Sequence, residues 1–163
     1  MAALSDPLVQ ELLAGRYVAT LGTQNADGSP HLVSVWFLFS GNCCYVATAS
    51  RSRKGRNVKA RARAALMVDS RDPAASRGVT VSGPVRLLTS DESKQWNAKI
   101  HRKYLSEAAI ADARVGAVFA QWDDVTLEIR IESIYAWDMR EADRQAFGSA
   151  FAQNPGYLLP LTR

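Results

Sequence analysis

The chain has 163 residues, of which 47% are apolar and 22% charged, and its formal net charge is +4 at pH 7. That balance fits one globular domain over residues 1–163 with a full core, and it excludes a disordered or collagen-like chain. No run of about 18 apolar residues occurs, so no membrane span is expected.

The first residues, "MAALSDPLVQELLAGR", lack the basic start and long apolar stretch of a signal peptide. The spacing predicts a helix over Ser5 to Arg16. Ser5 or Asp6 can cap it, Pro7 suits its first turn, Leu8, Leu12 and Leu13 share a face, and Gly15 stops it. "YVATLGTQ" alternates as a half-buried strand, and Asp27-Gly28 in "NADGSP" is a tight-turn signal. "HLVSVWFLF" is the next strand, with Trp36 and Phe37 on opposite faces and one of them expected to be exposed. "SGN" turns it into "CCYVATAS". Cys43 and Cys44 are adjacent and lack metal-ligand spacing, so they read as reduced thiols of a cytoplasmic protein.

"TASRSRKGRNVKARAR", residues 48–63, carries seven cations and no carboxylate. A short helix is expected from about Lys54 to Ala62. "AALMVDS" and "GVTVSGPVRLLTS" are two further strands, the second with Gly83-Pro84 marking a bulge or an edge. Asp91 to Tyr104 and Glu107 to Gln121 read as helices, the first with N-cap chemistry in "TSDESKQW". "VTLEIRIESIYAWD" is the last strand. Its Val125, Leu127, Ile129 and Ile131 face one way; Thr126, Glu128, Arg130 and Glu132 face the other. The tail, residues 140–163, is weakly patterned. Six strands joined by sequential hairpins, with helices inserted late, predict a mainly β fold, a six-stranded antiparallel barrel with added helices and a core of about residues 17–139.

No triad or carboxylate pair suggests itself, and no metal site is expected. His31 and His101 read as solvated edge histidines, and Asp123 and Asp124 as caps of a strand or helix end. The basic stretch is more informative. Thr48 and Ser50 fall two residues apart, on one face of a strand, just before a helix start. Hydroxyls, cations and helix N–H groups together form a phosphate pocket, with Arg53 or Lys54 for charge and Thr48, Ser50 and Asn57 for directed hydrogen bonds. A solvated basic helix is the competing reading. Nucleic acid is disfavoured, because residues 47–65 contain no aromatic side chain.

Residues 17–69, "YVATLGTQNADGSPHLVSVWFLFSGNCCYVATASRSRKGRNVKARARAALMVD", resemble the FMN-binding split-barrel proteins related to pyridoxamine 5'-phosphate oxidase. The resemblance rests on "ATLGT…DGSPH", the "VWF" strand, and Thr48, Lys54 and Asn57 in a Thr-x5-Lys-x2-Asn pattern. "RGVTVSGPVRLL" and the Trp-Asp ending of "VTLEIRIESIYAWD" extend it over residues 5–139. It implies a six-stranded split β-barrel that forms a homodimer, with the cofactor phosphate on Thr48, Ala49, Ser50, Arg53, Lys54 and Asn57. The isoalloxazine ring would lie along Val33, Ser34, Val35 and Trp36, and Trp122 would help close the site. The implied activity is hydride transfer between a reduced flavin and a small organic substrate, with no catalytic side chain named. Vitamin B6 oxidase activity itself is not expected, since the chain ends without the Arg-x-His type of substrate motif. FMN is the first cofactor. Coenzyme F-420 is the alternative, because Arg51, Arg53, Lys54, Arg56, Lys59, Arg61 and Arg63 exceed what one phosphate needs and could hold a glutamate tail. A non-catalytic flavin or haem carrier is a third reading, with His31 and His101 the only histidines for haem.

Overall fold

A computed structural model of the chain describes residues 2–72 and 76–159. Helix α1 (Pro7–Ala14) is capped by Asp6, whose carboxylate accepts from the Leu8 N–H at 2.9 Å, and it buries Val9, Leu12 and Leu13. The strands are β1 (Ala19–Gln24), β2 (Pro30–Val35), β3 (Leu38–Ser40), β4 (Cys43–Thr48), β5 (Arg63–Asp69), β6 (Arg77–Leu88), β7 (Val125–Arg130) and β8 (Ser133–Asp138). Helix α2 (Arg53–Ala60) lies between β4 and β5. Helices α3 (Ser90–Tyr104), α4 (Glu107–Ala111) and α5 (Gly116–Trp122) fall between β6 and β7, while α6 (Met139–Phe147) and α7 (Ala150–Gln153) follow β8.

The strands form one sheet in the order β2-β1-β5-β6-β7-β4-β3, with β8 also paired to β6 and every pairing antiparallel. The fold is therefore mainly β with added helices, as expected, but it has eight strands rather than six. Both extra strands come from breaking a run that reads as one.

The first break is at Trp36-Phe37. β2 pairs with β1 only as far as Ala19↔Val35, and β3 pairs with β4 from Leu38↔Tyr45. Between them the Phe37 backbone has no ladder partner, and a buried N–H or C=O must be satisfied elsewhere. Tyr104 of α3 supplies that partner. Neither aromatic at the break is exposed as expected: Phe37 is fully buried and Trp36 half-buried.

The second break is at Ile131-Glu132. β7 pairs with β4 and with the second half of β6, and β8 pairs with its first half. Gly83 stands where β6 changes partner, and a Cβ there would lie 1.8 Å from the Arg130 carbonyl oxygen. Gly83-Pro84 is thus a crossing point inside a 12-residue strand rather than an edge. The helix expected over Glu107 to Gln121 is also divided, because the start of α5 abuts the Ile110 carbonyl at Gly116. Thr89 is the N-cap of α3 but makes no side-chain capping bond. The weakly patterned tail holds α6 and α7; its last four residues lie outside the described ones.

Two apolar clusters result. Leu12, Leu13, Leu21, Phe37, Leu66, Val81, Leu127 and Ile129 belong to the main core. On the sheet's other side, Tyr45, Leu88 and Ile100 hold α3 against β4, supported by Trp36, Trp96 and Tyr104. Trp96 stacks on Tyr45 with ring centroids 3.7 Å apart. Among the described residues no helix is long and apolar enough to cross a membrane.

Candidate cofactor site

A cavity of about 280 Å³ opens between the end of β2, the start of α2, and helices α3 and α5. Its apolar walls are Val18, Val35, Trp36, Ala47, Ile100 and Phe119, and its polar groups come from Ser34, Lys54, His101 and Asp123. The Trp36 ring stacks on Tyr104 (centroids 5.0 Å, planes within 2°) and on Phe119 (5.3 Å). These contacts fix the indole as a rigid wall.

Lys54 enters the cavity from the first turn of α2. Ser52 caps that helix by accepting from the Gly55 N–H at 3.1 Å, so the N-terminal end of the dipole and the amine lie together. The Lys54 ammonium has no hydrogen bond or ion pair among the described residues. Burial holds its pKa below the usual lysine value, opposed by the charge of Asp123. A half-buried ammonium with no anion in contact suits a phosphate.

The other residues expected at the site divide between several tasks. Ser34, Val35 and Trp36 line the cavity beside Lys54, whereas Val33 packs on the main core. Thr48 and Ser50 do not share a face, because β4 ends at Thr48 and the alternation ends with it. Thr48 is buried with its hydroxyl 3.1 Å from that of Ser52. Ser50 gives both its backbone N–H (2.6 Å) and its hydroxyl (2.7 Å) to the Asp124 carboxylate. Asn57 is buried, and its amide donates to Thr23 Oγ1 and Asn25 Oδ1, each at 3.1 Å, tying α2 to the β1–β2 turn. Arg53 is exposed. Ala49 and Trp122 line a separate recess of about 240 Å³ with Arg51, Gln121 and Asp124.

Three of the seven cations are engaged internally. Arg61 donates to the carbonyls of Asn25 and Ala26 at 3.1 Å, Arg63 pairs with Glu132 at 3.3 Å, and Arg56 reaches the Arg51 carbonyl. Cys43 and Cys44 are free thiols, and burial pushes Cys44 up to about 12.

His101 and Asp123 also line the cavity, which the sequence does not disclose. His101 is 8% exposed rather than solvated, and its Nε2 lies 2.9 Å from Asp123 Oδ2. The Asp123 backbone is held in turn by the Asn97 amide at 2.7 Å, inside a buried network with Ser93 and Thr126. Among the described residues no cluster of His, Cys, Asp and Glu could hold a metal ion.

An antiparallel sheet of this topology with added helices is the architecture of a split barrel. Residues 5–138 match the pyridoxamine 5'-phosphate oxidase family, and the chain belongs to that family. No curated protein matches the chain. Among solved structures, an F420 reductase is 26% identical with a TM-score of 0.60, over 77% of this chain and 94% of that one. A conserved hypothetical protein from Mycobacterium tuberculosis is 17% identical with a TM-score of 0.69, covering 99% and 92%. The haem storage protein of Vibrio cholerae is 16% identical with a TM-score of 0.60, covering 80% and 92%. The last two likenesses concern the fold alone.

Proposed function

We propose that the protein is an oxidoreductase that binds FMN, its phosphate held by Lys54, and transfers hydride between the reduced flavin and a small organic substrate. The observation that carries this reading is the Lys54 ammonium, half-buried without an anionic partner, in the cavity walled by Ser34, Val35 and Trp36. When bound, a flavin supplies two-electron hydride chemistry, and the protein supplies binding and orientation. Arg53 adds charge beside Lys54, while Thr48 and Asn57 hold the loop and helix that present the amine. Ser50 joins the phosphate only if the ligand displaces Asp124. Val33 and Ala49 contribute backbone, and Trp122 shields the outer rim.

At about 280 Å³ the cavity falls just below the usual ligand range of roughly 300–1,000 Å³, which fits a site completed by a second copy of the chain. The outer sheet face supports a homodimer. Leu32 and Tyr135, both 67% exposed, share that face with Met67. The free thiols of half-buried Cys43 and buried Cys44 are in keeping with a cytoplasmic setting.

Coenzyme F-420 is the second reading. The 26% identity to an F420 reductase favours it, as do Arg51, Arg53 and Lys59, which form no ion pair among the described residues and could hold a glutamate tail. Haem is the third reading, with His101 the one histidine among the cavity's lining residues. Titration of the purified protein with FMN and with F-420, followed by tryptophan fluorescence and absorbance, tests the reading. Saturable micromolar or tighter binding of one cofactor supports it, and binding of neither overturns it.

A further inference from the structure

Helices α4 and α5, within residues 106–122, form one unit. The Asp112 carbonyl accepts from the N–H groups of Val115 and Gly116 at 2.9 Å, and a Cβ at Gly116 would lie 2.0 Å from the Ile110 carbonyl oxygen. Ser106 caps α4 by accepting from the Ala109 N–H at 3.2 Å, and Asp112 pairs with Arg114 at 2.6 Å. All of these bonds are internal. Among the described residues, no group from 106 to 122 makes a hydrogen bond or ion pair beyond Asp123, the C-cap of α5. None of these residues is buried, whereas α3 buries Ser93, Asn97, Ile100 and His101.

Both ends of the unit are anchored. Before it, the Tyr104 hydroxyl is bonded to the backbone of Tyr17 and Phe37. After it, Asp123 Oδ2 lies 2.9 Å from His101 Nε2, the Asp123 carbonyl accepts from the Asn97 amide, and Asp124 accepts from both Ser50 donors. Between these anchors, the ring contacts to the body among the described residues are those of Phe119, 5.3 Å from the Trp36 ring and 5.3 Å from the His101 ring. Few buried contacts and no outward hydrogen bonds define a segment that opens locally at low cost.

We propose that residues 106–122 are a lid over the cofactor cavity, hinged at Leu105 and Asp123 and latched by Phe119 against Trp36 and His101. The proposal rests on the cofactor reading argued above. Leu105 (φ −104°, ψ 145°) and Asp123 (φ −93°, ψ 81°) both leave the helical region, and element-terminal residues of this kind take up the rotation of a hinge. Phe119 is the one residue of α4 and α5 that lines the cavity. An outward swing of the two helices withdraws its ring and opens a path to Ser34, Trp36 and Lys54. No bond of the sheet or of α2 has to break. Closure brings the ring back over a bound cofactor and excludes water from it.

Hydrogen–deuterium exchange of the full chain, read by mass spectrometry with and without FMN or F-420, tests the lid. Amides of residues 106–122 should exchange at least about 100-fold faster than those of residues 93–104, and saturating cofactor should slow them about 10-fold or more. Exchange over 106–122 as slow as in α3 without cofactor overturns the lid and leaves the cofactor reading standing. Fast exchange that a bound cofactor does not slow overturns the gating of this cavity. Stopped-flow binding then compares Phe119→Ala with wild type. An association rate constant raised about 5-fold or more is expected, and an unchanged one overturns the latch. Binding of neither cofactor to wild type overturns the cofactor reading and this proposal with it.

Discussion

The hydroxyl of Tyr104 meets both backbone groups of Phe37, accepting from its N–H at 3.3 Å and lying 3.2 Å from its carbonyl. The same hydroxyl donates to the Tyr17 carbonyl at 2.7 Å. One side chain of α3 thereby satisfies the backbone where the sheet path breaks, and it sets the angle at which Trp36 leaves β2 to form the cavity wall.

Tyr104→Phe keeps the ring stacking and removes only these bonds. Buried groups left unpaired cost about 1–3 kcal/mol. For a chain of this size that corresponds to a thermal midpoint lowered by roughly 2–4 °C per kcal/mol. Urea unfolding with an unchanged m-value checks it. Wild-type stability would mean that the break at Phe37 is held by packing alone.

Gly83→Ala places a methyl 1.8 Å from the Arg130 carbonyl, so backbone rather than a flexible side chain must move. A loss of about 3 kcal/mol or more, or failure to accumulate folded protein, is expected, since overpacking against backbone lies in the costly tail of point substitutions. Circular dichroism and denaturant unfolding report it. Full stability would contradict the strand crossing at this residue.

Lys103 gives a pH signature. Its Nζ is buried without a hydrogen-bond partner, 4.2 Å from the Phe37 ring centroid, and burial lowers its pKa from 10.5 to about 8. Between about pH 8 and 10.5 the folded chain binds fewer protons at this amine than the unfolded chain, so its contribution makes stability rise with pH across that window. Cys44 acts in the opposite sense between 9 and about 12, because its folded thiol keeps its proton longer. Stability measured from pH 7 to 9 isolates the lysine. Lys103→Met should be more stable than wild type at pH 7, by about 1–2 kcal/mol after allowing for partial solvent screening, and the gap should narrow towards pH 9. A constant gap would show that the amine does not titrate there.

Short-range chemistry made much of the fold legible. Asp6 and Pro7 announce α1, Asp27-Gly28 the first hairpin, and the alternation of β1 and β7 their core-facing residues. What the sequence hides are events between distant residues. "HLVSVWFLF" reads as one unbroken strand, and only Tyr104, 67 positions beyond Phe37, reveals that it breaks. In "VTLEIRIESIYAWD" the core-facing set passes from odd positions (Val125 to Ile131) to even ones (Ile134 and Ala136), a one-residue slip where β6 changes partner at Gly83. Helix α6 did have signals: Asp138 at its N-cap, Glu141 three residues on, and Gly148 after its end.

At the site, Lys54 was readable from its place at a helix start. The partners of Ser50 and Asn57 were not, because Asp124, Thr23 and Asn25 reach them through the tertiary fold. His101 and Asp123, 22 residues apart, each resemble a surface residue until α3 and α5 bring them together.

Binding of FMN and of riboflavin, compared in wild type and in Lys54→Gln, shows whether the Lys54 amine holds a cofactor phosphate. Riboflavin shares the ring and lacks the phosphate. A charge-assisted bond of about 1.5–3 kcal/mol predicts that wild type binds FMN at least about 10-fold more tightly than riboflavin. In Lys54→Gln the ratio should fall to near one, with riboflavin affinity little changed. An FMN preference that survives the substitution would place the phosphate elsewhere, away from Lys54.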